Sequence, residues 1–220
     1  GMPTSMLRVA HLAAGVPEVD DTRLDFTVVD EGSFNGISFG RASRAASLAS
    51  GVVQVDVTEP GGGLSLASVS VELEADVQYT VAAYRNSDEA NGTGLMVFDE
   101  GTDGLESGLG RVVIGHAAED STWASVDVVD VDTDEVLVSD LGLGEQSEPL
   151  DFSAGEHRLG FSTSSVPPAI DEGPFRIAVS ANQTAVVIAV DRDVADASVD
   201  AAVYVLEPNT SGVIPVIPSE

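Results

Sequence analysis

Two stretches of this chain repeat one pattern about a hundred residues apart: RVAHLAAGVPEVD at 8–20 and VVIGHAAEDSTWASVD at 112–127. Each runs an apolar segment into a His, follows it with small residues, and closes through an acidic, turn-prone stretch on Val-Asp. A self-similarity at this period constrains the fold more than any single residue, because a duplicated segment implies a duplicated structural unit. The correspondence continues downstream. His11 meets His116 at an offset of 105, while Phe39-Gly40 falls on Leu143-Gly144 and Ser43 on Ser147 at 104. Val71, Ala75, Val81 and Ala83 meet Ile177, Ala181, Val187 and Ala189 at 106, and Glu100 meets Glu207 at 107. The drift is what loop insertions produce. Between 20–36 and 126–140 the register stays open.

Within each repeat the periodicity is that of strands. In VVQVDVT (52–58) Val53, Val55 and Val57 share one face, with Gln54, Asp56 and Thr58 on the other. VSVELE (69–74), YTVAAY (79–84), HRLGFS (157–162), FRIAVS (175–180) and AVVIAV (185–190) behave alike, bounded by Gly, Pro, Asp and Ser. Seven or eight short strands per hundred residues suit a sandwich of two antiparallel sheets. The expectation is all-β: two tandem immunoglobulin-like antiparallel β-sandwich domains over 6–100 and 108–208, joined by the Gly- and acid-rich stretch 99–110 and followed by a tail over 209–220.

The segment order resembles the Domain of Unknown Function 4397 family. RVAHLAAGVPEVD and VVIGHAAEDS stand for its opening, SFGRAS (38–43) and GLGEQS (142–147) for its turn. ASG (49–51) and SAG (153–155) precede the Val-rich strand, and QYTVAA (78–83) is the late strand. The resemblance covers nearly the whole chain, as two tandem copies. It departs in lacking Ser-Pro-Asp after either His and in placing Leu143 where Phe is usual. It implies a β-sandwich in exported or envelope proteins and carries no catalytic residues with it.

Charge narrows the partners. Against 37 acidic residues stand nine Arg and no Lys, a net charge of −28. Nucleic-acid binding needs a basic patch to neutralise phosphates, and the Arg are scattered, so no nucleic-acid partner is expected. No apolar run reaches the roughly 18 residues of a membrane span, so the chain is not expected to span a bilayer as a helix. An acidic, Lys-free surface suits saline water or cation binding. Without Cys, disulfides, thiolate metal sites and Cys nucleophiles are excluded.

Residues with chemical potential are few. His11 and His116 occupy equivalent places in separate repeats and read as strand-end histidines; His157 shares parity with Leu159 and Phe161 and reads as facing inward. No Gly-x-Ser-x-Gly elbow or phosphate loop occurs. DVVDVDTDEV (127–136) is the one dense carboxylate cluster: Asp130, Asp132 and Asp134 alternate as calcium ligands can. Its sixth and twelfth positions, Glu135 and Leu141, do not fit an EF-hand loop, and a hairpin turning at Asp132-Thr133-Asp134 accounts for the same letters. VDRDVADASVD (190–200) poses the same alternative. Trp123, the one Trp, reads as core, with sugar stacking on a rim as the other option.

The expectation is therefore a non-catalytic exported or cell-envelope module with a structural, display or binding role, and with a surface protein or glycan as partner. No catalytic residue and no cofactor other than calcium at Asp130, Asp132 and Asp134 is expected. Gly1-Met2 reads as a remnant left where a signal peptide or anchor was removed. The alternative is a hydrolase or other enzyme with an unrecognised site, or a calcium- or carbohydrate-binding surface protein.

Overall fold

The computed structural model describes residues 3–16, 23–119, 123–163, 170–190, 203–207 and 214–216. Two compact units divide in sequence between Gly101 and Thr102. The described residues contain no α-helix, and each unit is built from strands packed as a sandwich.

The first unit runs β1 (Thr4–Leu12), β2 (Leu24–Val28), β3 (Gly32–Ile37), β4 (Arg41–Ala42), β5 (Ala46–Ala49), β6 (Gly51–Thr58), β7 (Ser65–Leu73), β8 (Gln78–Arg85) and β9 (Thr93–Asp99). One sheet has the order β4-β1-β8-β9, with β5 also on β1; the other is β3-β2-β6-β7. Leu7 and Val9 of β1 and Val81 and Ala83 of β8 close one core with Leu24, Phe26, Val55, Val57 and Val71 of the facing sheet. This is the alternation of Val53, Val55 and Val57 made physical: Val55 and Val57 are sealed, while Val52, out of phase with them, is 73% exposed.

The second unit runs β10 (Leu109–Ala117), β11 (Ser125–Asp130), β12 (Glu135–Gly142), β13 (Leu150–Ser153), β14 (Gly155–Ser162), β15 (Glu172–Val179), β16 (Thr184–Val190), β17 (Val203–Leu206) and β18 (Ile214–Val216). Its sheets are β13-β10-β16-β17-β18 and β12-β11-β14-β15. Ile114, Val187 and Val205 meet Val128, Leu159, Phe161, Phe175 and Ile177 in its core.

Three features differ from the sequence expectation. Among the described residues, pairing is antiparallel except for one parallel pair in each unit: β1 with β8, where Met6 faces Gln78, and β10 with β16, where Arg111 faces Thr184. Parallel neighbours need a long crossover, and here the crossover is the whole opposite sheet. Alternation alone carries no information on direction. Second, residues 214–216 of the expected tail form β18 against β17. Pro215 lacks an N–H, which an edge strand tolerates. Third, Glu207 is not the counterpart of Glu100. Thr80 faces Phe98 and Val186 faces Leu206, which puts Glu207 at the place of Asp99.

The open register is also settled. Asp25 faces Thr58 across β2 and β6 as Asp127 faces Ser162 across β11 and β14, an offset of 102. Bulges between Leu24 and Phe26, and on either side of Val128, shift the period and hide it from sequence.

Candidate functional site

The repeated motif builds the same corner in each unit. β1 ends through His11, which is fully buried. The Ser43 amide donates to Val9 O at 2.8 Å, and Ser43 Oγ accepts from the Val9 amide at 3.0 Å. One Ser thereby supplies both halves of a ladder rung. Gly40, at φ 72°, donates its amide to His11 O at 2.8 Å. A side chain at that φ is strained, so glycine fits the turn. The His11 ring accepts the Ala13 amide at Nδ1, 3.3 Å away, and meets Phe39 edge-on at a centroid distance of 5.8 Å.

The second unit repeats these bonds. Ser147 N donates to Ile114 O at 2.7 Å and Ser147 Oγ accepts from Ile114 N at 3.0 Å. Gly144 N reaches His116 O at 2.8 Å, and the Ala118 amide reaches His116 Nδ1 at 3.3 Å. Nδ1 can accept only in the tautomer with its proton on Nε2. That proton is donated to Trp123 O at 2.5 Å. Leu143 replaces the Phe39 ring, and Trp123, tilted 6.4 Å from His116, supplies an aromatic contact instead. Half-buried Trp123 also stacks on Phe161 at 5.9 Å. Both histidines thus hold a turn closed with their imidazoles sealed from solvent. His157 is half-buried against Phe152, with Nε2 bonded to Ser153 O at 2.8 Å.

Asp130, Asp132 and Asp134 lie in the β11–β12 turn, where each already has a conformational role. Asp130 Oδ1 accepts from the amides of Asp132 at 2.8 Å and Thr133 at 3.2 Å, while Asp134 takes the left-handed φ of 58°. Asp132 is paired to Arg158, whose Nε lies 2.9 Å from Oδ1. The hydrogen bond and charge of Arg158 hold the Asp132 carboxyl below the usual carboxylate range. A guanidinium at that oxygen competes with any cation. Among the described residues no three His, Asp or Glu side chains converge as a metal site. Most of the second acidic loop, 191–200, lies outside the described residues.

Sequence reasoning missed two other groups. The first is a sealed polar network on the β1 face opposite Leu7 and Val9. Arg8 Nη2 meets Glu100 Oε1 at 2.6 Å, with side-chain exposures of 0% and 2%. Arg8 Nε donates to Thr80 Oγ1 at 2.8 Å, and Thr80 Oγ1 and Gln78 Nε2 donate to Glu100 Oε2 at 2.8 and 3.0 Å. Burial pushes the Glu100 carboxyl up, against the opposing pull of Arg8, Gln78 and Thr80. The available signal was an Arg set between the apolar residues Leu7 and Val9. The second group is the pair of equivalent aspartates. Asp25 accepts from Gly36 N of β3 at 2.6 Å and from Gly61 N at 2.8 Å, tying β3 and the β6–β7 turn to β2. Asp127 accepts from Asp140 N at 2.8 Å, but its buried Oδ2 has no hydrogen-bond partner.

None of the curated proteins matches this chain. A solved structure described as the Bacillus anthracis TIE protein is 10% identical, with a TM-score of 0.23; the match covers 86% of this chain and 34% of that one. The chain thus spans about a third of that structure's length. The family model described as a domain of unknown function, DUF4397, matches residues 5–123, more than half of the chain and the segment that carries the first Ser–His corner. The chain belongs to that family.

Proposed function

We propose that both units are copies of the family domain and that together they form a non-catalytic, exported or cell-envelope module that displays or binds through its loops. The observation that carries this reading is how the reactive side chains are employed. His11 and His116, the residues best suited to acid–base work, are fully buried and each accepts the amide two residues on. Equivalent Ser, Gly and His bonds in the two units support a shared ancestry of the copies.

The net charge of −28 supports an exposed position in saline water, where the surface carboxylates are screened. It disfavours anionic partners such as nucleic acid. Loops at the ends of a sandwich tolerate variation and are the expected binding elements, for a surface protein or a glycan. Fractionation of source cells with antibody detection, run beside a broad hydrolase panel, tests the reading. Recovery from the envelope or medium without turnover is expected. Cytoplasmic recovery, or turnover lost on His11→Ala or His116→Ala in a protein that stays folded, would overturn it.

A further inference from the structure

Five Asn occur in the chain, and three of them are followed two residues later by a hydroxyl with no Pro between: Asn91-Gly92-Thr93, Asn182-Gln183-Thr184 and Asn209-Thr210-Ser211. Ser and Thr make up 35 of 220 residues, so composition alone would give roughly one such triplet. Asn-x-Ser/Thr is the acceptor sequence for N-linked glycans, and it marks surface loops in secreted proteins. Asn209 lies outside the described residues. The other two occupy places of one kind.

Asn91 stands in the β8–β9 connection, where Ser87 through Asn91 are exposed, and Thr93 opens β9. Asn182 stands in the β15–β16 turn, where Ser180 through Gln183 are exposed, and Thr184 opens β16. Asn91 Nδ2 donates to Ser65 O at 3.0 Å, and an N-linked amide nitrogen retains one hydrogen for such a bond. Asn182 has φ 59°, a conformation Asn tolerates, and its exposed side chain makes no hydrogen bond to the described residues. The corresponding turn of the first unit places Asp76 at φ 62°, its amide on Thr4 O at 2.8 Å, as Asn182 places its own on Leu109 O at 2.7 Å. A left-handed turn residue accounts for Asn at 182. It does not account for the hydroxyl two positions on, where the first unit has Gln78.

We propose that Asn91 and Asn182 are N-glycosylation sites, modified during export before the strands that follow them have formed. This rests on the exported reading above. In the transfer, Nδ2 attacks the anomeric carbon of a polyprenyl-phosphate-linked oligosaccharide. The new bond is carbon to Nδ2, the carbon–oxygen bond to phosphate breaks, the lipid phosphate leaves, and one Nδ2 proton goes to solvent. The order of events follows from burial. Thr93 and Thr184 are each 2% exposed, so the hydroxyl that a transferase must read is accessible only in the unfolded chain. Once folded, both Asn still project from exposed turns, and a glycan there displaces no core side chain.

The test is the intact mass of the full protein recovered from outside its source cells, with Glu-specific peptides assigning each site. The expected result is a mass above that of the sequence, with carbohydrate on the peptides containing Asn91 and Asn182. Asn91→Gln and Asn182→Gln each remove one glycan's mass. Thr93→Val and Thr184→Val do the same with the Asn left in place, whereas Thr93→Ser and Thr184→Ser retain the modification. An exported protein of unmodified mass would overturn the proposal and leave the exported reading standing. Recovery from the cytoplasm alone would overturn both.

Discussion

β1 carries Arg8 opposite Thr80, whereas the corresponding pair on β10 and β16 is Val113 opposite Val186. All four are at most 4% exposed. One fold therefore accommodates a sealed ion pair or an apolar pair at one place, and the sandwich itself does not require the charges. A buried pair is expensive to desolvate, and removing one member costs more than replacing the whole network with apolar groups of similar volume.

The largest expected effect breaks that comparison directly. Arg8→Val should destabilise the first unit by about 3–5 kcal/mol, because Glu100 then loses its buried counter-charge. Replacing the network together, as Arg8→Met, Thr80→Val and Glu100→Leu, should restore wild-type stability or exceed it; denaturant unfolding of both variants measures this. A triple variant no better than Arg8→Val would show that the network specifies the first unit in a way the second does not need. The pH dependence has a definite sign. Burial raises the Glu100 pKa in the folded state, so its contribution is full below the ordinary glutamate value and lost as pH rises through the raised one. That slope should vanish in Glu100→Gln.

The Ser corner should behave alike in both units, with a graded cost. Ser147→Ala strands a buried Ile114 amide and should cost about 1–3 kcal/mol. Ser43→Ala, where Ser43 itself is only half-buried, should cost less. Hydrogen exchange at Ile114 and Val9 reads each loss locally. A smaller contrast concerns the equivalent aspartates. Asp25→Asn replaces one of two accepting oxygens with a donor and should cost about 1 kcal/mol or more. Asp127→Asn, with its amide nitrogen in the Oδ2 place, exchanges one unpartnered buried group for another and should cost less than Asp25→Asn.

The weakest expected effect is that of salt. Residues 1–101 hold 15 acidic side chains against five Arg, net −10, and residues 102–220 hold 22 against four, net −18. Screening relieves self-repulsion, so raising the salt to about 1 M should slow exchange more in β16 than in β8. Equal protection in the two would show that charge spacing matters more than charge total.

Much of the architecture was legible because both core faces obey a two-residue period, as Val53, Val55 and Val57 illustrate, and because Ser43 and Ser147 keep one spacing from Gly40 and Gly144. Strand direction was not, since a β1 buried on both faces looks the same whether its neighbour runs with or against it. The Arg8–Glu100 network was hidden by distance, with 92 residues between the partners, and the repeat does not flag it, because Val113 stands in the second unit where Arg8 stands in the first. The aspartate cluster was visible, but a turn and Arg158 claim it, and Arg158 stands 26 residues from Asp132.

The parallel placement of β1 beside β8 has a topological corollary. Met6 lies opposite Gln78, and Asp99 lies opposite Tyr79 on the far side of β8. The chain thus enters and leaves the first unit at one end of one sheet, two strand spacings apart, or about 10 Å. A unit with adjoining ends is easily copied in line, since a new unit can be spliced in at that point without stretching the old one. It is also easily permuted. New ends cut into the exposed Gly61-Gly62-Gly63 turn, with the original ends bridged by a few residues, leave every pairing of the sandwich available.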